Sequence, residues 1–433
     1  MKKDLQAKLL NGKIRKPSPF LMTVGLWILK RINKRHRVKF HYDYDPKALQ
    51  NTPTVLLSSH ASRLEFMYTV YGFKRKDLNV VCGYQNILKK GLFSLFLKLG
   101  VISKYLYQPD LVCVKKMLKV LRRGGAIGLF PEGIQSTSGS THPINPATAQ
   151  FIKTSRANIV VCRSSGAYLA TNRYSSDRKK GYIGIEYSLV FTPEMLNTLT
   201  EEEIYQTLLE KIRYNDFAFN KEARHTYVGK KPNAFGIDKI LYLCPECKSE
   251  HTLTVQNDTL VCKTCHFAVT VNEYYDLIGV CGKRFPADID AWYKWQRRCV
   301  ASEIQNEDFK LSLTGSLCTL RTDKLKKPPK NRRLLSKGEA TLKRDGLSFS
   351  GVLDGQPADF TFPAKSLFSM TLSTRGYLEF YHNNNYYMLV PDDSRNTLIK
   401  WTLASEEIHN LYDERWQKAC ADVYDYEKGE IYE

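Results

Sequence analysis

The sequence predicts an α/β domain with a mixed sheet flanked by helices, then a small cysteine module, then a β-rich region that ends in a helix. Three observations lead to this prediction. Strand-like and helix-like runs alternate from Thr52 to about Phe191, which is typical of α/β sheets. Two CxxC motifs lie between Cys244 and Cys265. Short β-prone runs recur from Leu335 to Val390, with turn signals between them.

The elements of the α/β region follow from local pattern. Apolar residues at helical spacing after Asp110 predict a helix that Gly124 and Gly125 end. Thr200 before three glutamates predicts a second, capped helix. Short apolar or β-prone runs predict strands at Thr54–Leu57, Leu78–Cys82, Ala126–Phe130, Ile159–Cys162 and Tyr182–Phe191.

Beyond the cysteine module, the pattern predicts a helix over Pro286–Ile304 and a basic, proline-containing linker over Thr322–Arg333. The β-prone runs that follow end at a predicted helix from about Thr397 to Trp416. Strands followed by one terminal helix resemble a pleckstrin-homology-like domain, in which the helix plugs a small barrel or sandwich. We therefore divide the chain into residues 1–240, 241–270, 271–333 and 334–433.

The charge balance favours an anionic partner. The 433 residues include 65 Lys and Arg against 44 Asp and Glu, a formal net charge of +21, which suits an anionic membrane surface or nucleic acid. No apolar run is long enough to predict a membrane-spanning helix, an anchor or a secretory signal. The apolar, tryptophan-bearing segment Phe20–Leu29 has basic residues on both sides. It fits either an amphipathic segment in the head-group layer of a membrane or a core helix with a solvated basic end. In the division of the chain given above, we assign residues 1–240 a membrane-facing amphipathic segment of this kind.

The cysteines outside the CxxC motifs are scattered, mostly in apolar segments. This usage is typical of reduced thiols in a cytosolic protein rather than of a disulfide framework. Together with the positive charge, it predicts a cytoplasmic protein bound peripherally to the inner face of the cell membrane.

Two polar blocks come directly after predicted strands. His60 and Glu65 follow Thr54–Leu57, and Pro131-Glu132-Gly133 follows Ala126–Phe130. Ligands bind at the carboxyl ends of strands in α/β sheets, so both blocks fit one site. The ordinary pKa of histidine lies near the pH at which enzymes work, so an imidazole can take the proton of a hydroxyl. A carboxylate beside it can hold the imidazole in the useful tautomer. By itself the histidine–glutamate spacing also fits an ordinary histidine at a strand end and a surface glutamate.

With both blocks present, residues 20 to 200 resemble the glycerolipid acyltransferase family, of the 1-acyl-glycerol-3-phosphate acyltransferase type. That family has a His-x4-Asp block, a Gly-rich middle block, Phe-Pro-Glu-Gly-Thr-Arg-Ser, and a strand containing Val-Pro. The corresponding segments here are His60-Ala-Ser-Arg-Leu-Glu65, Leu99-Gly-Val-Ile-Ser-Lys104, Phe130-Pro-Glu-Gly-Ile-Gln-Ser136 and Asn158-Ile-Val-Val161.

The resemblance implies that an acyl thioester, acyl-CoA or acyl-ACP, donates its acyl group to a lysophospholipid hydroxyl. The acceptor expected from it is 1-acyl-glycerol-3-phosphate, and the product phosphatidate. It implies His60 as general base and Glu65 as its orienting partner. The remaining residues implied for acceptor binding are Arg63, Lys104, Phe130, Pro131, Glu132, Gly133 and Gln135.

Three departures from the family pattern concern the acceptor more than the reaction. Glu65 stands in place of the usual aspartate, so its carboxylate is one methylene further from the backbone. Gln135 replaces an arginine that contacts the acceptor phosphate, and a neutral amide binds phosphate less strongly than a guanidinium. Arg63 or Lys104 are the candidates to compensate. The fourth block lacks its proline, with Ile159 or Val160 near that place.

The two CxxC motifs predict a structural zinc ribbon. Four thiolates at this spacing can surround Zn2+ tetrahedrally, which leaves no open coordination position for catalysis. The predicted ligands are Cys244, Cys247, Cys262 and Cys265. His266, beside Cys265, is interpreted as a bystander.

A zinc ribbon on a basic chain also allows an alternative function. The protein would then bind nucleic acid, or act as a regulator, on an inactive acyltransferase fold. The knuckle residues carry charges of both signs, including Glu246, Lys248 and Glu250, rather than a basic stripe. We therefore expect nucleic acid not to be the partner.

Overall fold

The computed structural model of the protein describes residues 5–90, 93–279, 284–322, 331–373, 375–393 and 398–426, and the chain divides into two units. The first unit comprises Met1–Asn172, Lys179–Thr226 and Thr322–Asn331, and the second comprises Arg173–Arg178, Tyr227–Arg321 and Arg332–Glu433. The predicted division into four segments stays a prediction, because this grouping does not test the boundaries between them.

The first unit contains one mixed sheet. Its described strands are β1 (Lys39–Tyr42), β2 (Thr54–Ser58), β3 (Leu78–Gly83), β4 (Ile102–Lys104), β5 (Ala126–Leu129), β6 (Asn158–Ser165) and β7 (Gly184–Phe191). They lie in the order β1-β7-β6-β2-β5-β3-β4. β2, β3, β4, β5 and β6 run parallel, whereas β7 is antiparallel to β6. The predicted mixed α/β sheet is confirmed, and β1 and β4 add two strands that the pattern did not predict.

The helices of the first unit include the two that the sequence predicted after Asp110 and Thr200. Asp110 Oδ1 accepts the backbone N–H of Cys113 at 2.8 Å and begins the first of them. Thr200 and Glu203 form a reciprocal capping box at the start of the second. The described helices are α1 (Leu5–Asn11), α2 (Pro19–His36), α3 (Glu65–Gly72), α4 (Tyr84–Lys90), α5 (Phe93–Lys98), α6 (Leu111–Leu121), α7 (Ala147–Ser155), α8 (Ala167–Ala170), α9 (Pro193–Thr198), α10 (Glu201–Ile212) and α11 (Asp216–Ala223).

β2 is at the centre of the sheet, and all five of its residues are buried. A continuous apolar run of this kind is typical of a strand covered on both faces. Val55 and Leu57 belong to the core formed with α6, α7 and α10. On the opposite face, Ser58 Oγ lies 3.1 Å from Thr69 Oγ1 of α3. The register aligns Leu57 with Leu129 of β5, and Ser58 with Cys162 of β6, so the three strands end at the same edge.

The apolar segment near the beginning of the chain forms α2, and several of its large side chains are exposed. Phe20 is 74% exposed and Trp27 is 54% exposed, and Val24 and Ile28 are exposed as well. This exposure contradicts the core-helix interpretation of the segment. Among the helices in the described part of the chain, none has the length and apolar character needed to cross a bilayer.

The second unit contains two antiparallel sheets. Its described strands are β8 (Leu253–Gln256), β9 (Thr259–Cys262), β10 (Ala268–Val271), β11 (Leu277–Gly279), β12 (Leu311–Leu320), β13 (Arg332–Lys343), β14 (Gly346–Leu353), β15 (Gln356–Pro357), β16 (Phe360–Pro363), β17 (Thr371–Leu372), β18 (Leu378–His382) and β19 (Asn385–Pro391). The smaller sheet has the order β11-β10-β9-β8. The larger has the order β15-β14-β13-β12-β19-β18-β17, with β16 paired to β14.

The larger sheet begins earlier than the β-prone runs predicted, because β12 lies before the basic linker. Residues 323–330 of that linker lie outside the described residues. The β-rich region is confirmed, whereas its likeness to a pleckstrin-homology domain stays a prediction.

Helices α12 (Ile289–Glu303), α13 (Leu398–Asn410) and α14 (Glu414–Tyr424) complete the second unit. The single terminal helix predicted to extend to Trp416 is wrong, because Asp413 interrupts it. The Asp413 side chain accepts the backbone N–H of Trp416 at 3.1 Å and begins a second helix. The predicted start at Thr397 lies outside the described residues. α13 is buried along its whole length, and Glu406 and Glu407 on it pair with the buried guanidinium of Arg297.

Candidate active site and cysteine cluster

The histidine block and the Phe-Pro-Glu-Gly block meet at the carboxyl edge of the sheet. Because β2 and β5 are adjacent and parallel, the residues after them are neighbours. The rings of His60 and Phe130 stack with their centroids 4.4 Å apart. The backbone N–H of Ser136 donates to the carbonyl of His60 at 2.9 Å. The structure therefore brings together the two blocks that the sequence analysis combined.

The Glu65 carboxylate lies directly behind the His60 ring. Glu65 begins α3 and its side chain is fully buried, whereas that of His60 is 19% exposed. Glu65 Oε2 lies 3.9 Å from His60 Nδ1, which is ion-pair range but longer than a hydrogen bond. Among the described atoms, His60 Nδ1 has no hydrogen-bond partner. In a site without substrate such contacts are often long and tighten when substrate binds.

The carboxylate oxygens of Glu65 have different surroundings. Oε1 accepts the hydroxyl protons of Ser59 at 2.8 Å and of Ser164 at 2.6 Å. Within the described part of the chain, Oε2 accepts only a longer bond, 3.3 Å, from the backbone N–H of Ser62. Oε2, the oxygen that faces the imidazole, therefore accepts fewer and longer hydrogen bonds than Oε1.

Glu132 is buried and faces the backbone. Its carboxylate accepts the backbone N–H of His60 at 2.6 Å and that of His142 at 2.8 Å. Burial raises the pKa of Glu132 from 4.5 to about 8, against the opposing effect of these two hydrogen bonds. In this arrangement Glu132 contributes to the position of His60, and the role in acceptor binding that the resemblance implied stays a prediction.

The rest of the Phe-Pro-Glu-Gly block forms a tight turn. Gly133 has a φ of 73°, which favours glycine, and its backbone N–H bonds the carbonyl of Phe130 at 3.1 Å. A Cβ at Gly133 would lie 3.4 Å from the ring of Tyr107, so this turn is covered on one side. Pro131 is half-buried. The side-chain amide of Gln135 donates to the carbonyl of Ser62 at 3.2 Å and so links the two blocks.

The two basic candidates lie at different distances from His60. Arg63 is half-buried in the loop between His60 and α3. Lys104 ends β4, which is three strands from β2 in the sheet. Since neighbouring strands lie about 4.8 Å apart, this places Lys104 roughly 14 Å along the sheet from the end of β2. Arg63 is therefore the cation nearer to the imidazole.

Sequence reasoning missed three residues of this site. Ser164 lies in β6, two residues beyond the end of the predicted strand, and its distance along the chain from Glu65 gave no signal. Ser59 directly precedes His60, but nothing in the local pattern indicates its contact with Glu65. His142 contributes its backbone N–H, which every residue type except proline has, so its side chain held no information.

The predicted metal ligands form a compact cysteine cluster, namely Cys244, Cys247, Cys262 and Cys265, whose four Sγ atoms all lie within 4.8 Å of one another. The Sγ atoms of Cys244 and Cys265 are 3.7 Å apart, as are those of Cys247 and Cys262. A tetrahedral site with zinc–sulfur bonds of about 2.3 Å has edges of about 3.8 Å, so the cluster fits a tetrahedral metal ion.

Both CxxC turns have the same backbone shape. Lys248, after the first, has a φ of 58°, and His266, after the second, has a φ of 56°. Each donates its backbone N–H to the carbonyl of the first cysteine of its turn, at 3.1 and 3.0 Å respectively. The repeated geometry directs the two cysteines of each turn to one point.

Comparison with known proteins adds a distant structural likeness. No protein-family model matches the sequence, and no curated protein matches it. The crystal structure of the 1-acyl-sn-glycerophosphate (LPA) acyltransferase PlsC from Thermotoga maritima is similar over 44% of this chain and 75% of that chain. The TM-score is 0.37 and 13% of the residues are identical. A likeness at this level does not establish a shared activity.

Proposed function

We propose that the protein is an O-acyltransferase that moves an acyl group from acyl-CoA or acyl-ACP to the hydroxyl of a lysophospholipid. The observation that supports this is a partly exposed imidazole at the carboxyl edge of the sheet with a buried carboxylate behind it. The histidine block, which resembles that of glycerolipid acyltransferases, supplies both groups, and Phe130 of the second block stacks on the imidazole. The acceptor proposed is 1-acyl-glycerol-3-phosphate, and the product is phosphatidate.

The chemistry requires one proton transfer and one bond exchange. His60 Nε2 takes the proton of the acceptor hydroxyl while the oxygen attacks the thioester carbonyl carbon. The carbon–sulfur bond then breaks, and the leaving thiolate takes the proton back from the imidazolium. Glu65 keeps Nδ1 protonated and stabilises the imidazolium as it forms. No covalent enzyme intermediate is needed.

The surroundings of His60 support this role because they hold its ring in place. Glu132 accepts the backbone N–H of His60, and Phe130 stacks on the ring. A base that is held in position is worth more to catalysis than one that must be ordered during the reaction. Since the Gln135 amide donates to the Ser62 carbonyl, we propose Arg63 as the cation that meets the acceptor phosphate.

We also propose that α2 places the protein on the anionic inner face of the cell membrane. Phe20, Val24, Trp27 and Ile28 recur at helical spacing and are exposed together. The Arg31 guanidinium lies over the Trp27 ring at 3.8 Å, which keeps a cation beside the apolar surface. The net charge of +21 favours an anionic leaflet.

Sedimentation with vesicles tests the membrane proposal. We expect the parent to bind vesicles that contain phosphatidylglycerol and a Phe20→Ser, Trp27→Ser variant to bind them about tenfold less, because two large apolar groups are lost. Met195→Ser, which alters an exposed apolar residue of α9, is the control. Equal binding by the parent and the double variant would exclude α2 as the contact.

For the cysteine cluster we propose structural Zn2+. The surroundings favour a structural module over the nucleic-acid-binding alternative. The Lys248 ammonium lies 4.6 Å from the centroid of the Trp295 ring, and Glu250 pairs with Lys400 at 2.5 Å. The charges of Lys248 and Glu250 are thus engaged within the second unit.

An acceptor screen tests the proposed activity. Purified full-length protein is mixed with acyl-CoA or acyl-ACP and a series of lysophospholipids, and the acylated lipid is measured by mass spectrometry. Mass detection is preferable to thiol reagents because the chain carries 11 cysteines of its own. We expect acylated product only when an acceptor is present. Folded protein that acylates none of the lysophospholipids with either donor would refute the proposal.

A further inference from the structure

Two buried serines converge on one oxygen of Glu65. Ser59 follows β2 and Ser164 lies in the neighbouring β6, and both are fully buried. Their hydroxyl oxygens lie 3.2 Å apart, and both lie within hydrogen-bond distance of Glu65 Oε1. We call them the serine pair.

The direction of the hydrogen bonds from the serine pair to Glu65 is fixed by the carboxylate, which has no proton to donate. The backbone N–H of Ser164 donates to Ser59 Oγ at 3.1 Å, which occupies an acceptor position of that hydroxyl. Each hydroxyl has one proton, and a carboxylate oxygen can only accept. Both serine protons are therefore directed to Oε1, which leaves Oε2 to face the imidazole.

The serine pair restricts the rotation of the Glu65 side chain. A glutamate has one more rotatable bond than the aspartate usual in the family, so its carboxylate can turn away from the histidine. Two hydrogen bonds to Oε1 restrict that rotation. The cost of leaving either hydroxyl unpaired in a buried site keeps the carboxylate where it is.

We infer that Ser59 and Ser164 are positioning residues of the acyl-transfer reaction: they hold Glu65 so that Oε2 faces His60 Nδ1 and Nε2 is free to act as base. This inference rests on the proposed function. The serine pair does not contact substrate and acts only through Glu65.

Kinetics of Ser164→Ala and Ser59→Ala test the inference first. We expect kcat to fall about 10- to 100-fold, the range typical when a partner of a functional carboxylate or histidine is removed, with KM for the acceptor unchanged. Ser164→Thr keeps a hydroxyl and should recover most of the loss. Ser58→Ala is the matched control, because Ser58 is buried directly before Ser59 at the end of β2 but bonds Ser59 O and Thr69 instead of Glu65.

A double-variant comparison separates positioning from general destabilisation. If the serine pair acts only through Glu65, Ser164→Ala should cost nothing further in a Glu65→Ala background, where no carboxylate or amide is left for the serines to hold. An equal loss in both backgrounds would overturn the inference, as would parent-like kcat in both single serine variants.

The tautomer of His60 gives a readout that does not depend on activity. In protein labelled with 15N-histidine, the ring shifts of His60, assigned with His60→Ala, should show one tautomer, protonated at Nδ1. Ser59→Ala, Ser164→Ala should show a mixture. A single unchanged tautomer in that variant would overturn the inference even if the parent is active. The expected change of tautomer in a parent that acylates no acceptor would instead overturn the proposed function and leave the positioning role standing.

Discussion

The cysteine cluster and the histidine–glutamate site are assembled in opposite ways. The four sulfur atoms come from two turns of one short segment, and each turn has the same local backbone shape. The histidine–glutamate site draws on the ends of three strands, β2, β5 and β6, and Ser164 lies 99 residues from its partner Glu65. A site built from adjacent turns can be recognised from spacing, whereas a site built across a sheet depends on register.

The difference extends to what each site contributes. The cysteine cluster fits a closed ligand set, which adds stability and leaves no coordination position for substrate. The histidine–glutamate site has a partly exposed imidazole, a gap of 3.9 Å to its carboxylate and a buried Nδ1 that has no hydrogen bond to any described residue. We therefore expect changes in the first to alter stability and changes in the second to alter turnover.

The largest effect is expected from Cys244→Ser. Loss of one thiolate should abolish stoichiometric metal binding and lower the free energy of unfolding of the second unit by more than about 5 kcal/mol, since zinc contributes about 10–16 kcal/mol in zinc-finger peptides. Elemental analysis and thermal unfolding measure the two quantities. Cys299→Ser, outside the cluster, should keep the metal. Full metal content and unchanged melting in Cys244→Ser would remove the structural role.

His60→Ala should abolish most of the turnover and leave the fold intact. Removal of a general base typically costs about 10²- to 10⁴-fold in rate, or about 3–5 kcal/mol in transition-state stabilisation. Acyl transfer is measured by product mass and folding by circular dichroism. His41→Ala, at an exposed position of β1, is the control. Parent-like turnover in His60→Ala would refute the base assignment and with it the contrast between the two sites.

Much of the fold followed from local pattern. The run Thr54–Leu57 is apolar throughout, and a strand buried on both faces has that composition. Thr200 and Glu203 mark a helix start through a pair of contacts three residues apart. The two CxxC turns likewise close within a few residues, so their grouping was predictable. In each case the interaction that stabilises the element lies within the sequence window that predicts it.

The parts that could not be predicted depend on contacts between distant segments. Ser164 lies next to Glu65 only because β6 pairs with β2, and no local sequence pattern predicts that pairing. The inward orientation of Glu132 depends on the backbone N–H of His142, whose side chain is irrelevant to the contact. The division of the terminal helix is an exception, because the Asp413 side chain caps a new helix through the backbone N–H of Trp416, a contact within four residues that the sequence analysis did not use.

Glu65→Gln should reduce turnover about 100-fold, a smaller loss than the one expected for His60→Ala. The amide oxygen can keep the two serine hydrogen bonds, and the amide N–H then faces His60 Nδ1. A donor in that place favours the wrong imidazole tautomer, which is known to cost as much as about 10⁴-fold in a serine protease. Steady-state kinetics of product formation measure the loss. Equal activity of Glu65→Gln and the parent would remove Glu65 from the mechanism.

The smallest effect is a pH dependence that separates Glu132 from the catalytic pair. Its pKa, raised by burial from 4.5 to about 8, means that the folded state keeps a proton that the unfolded chain has lost between those values. The free energy of unfolding should therefore fall as pH rises from 5.5 to 7.5, by at most about 1.4 kcal/mol per pH unit for this one group.

Glu132→Gln should remove that part of the dependence, while Asp216, whose pKa burial raises to about 7, contributes the same sign in both proteins. Denaturant unfolding at pH 5.5 and 7.5 gives the slope of the unfolding free energy against pH for each protein. Glu222→Gln, at an exposed position of α11, is the control. Identical slopes in Glu132→Gln and the parent would mean that Glu132 is ionised throughout. Its two backbone hydrogen bonds would then outweigh its burial, and the position of His60 would not depend on pH through this carboxyl.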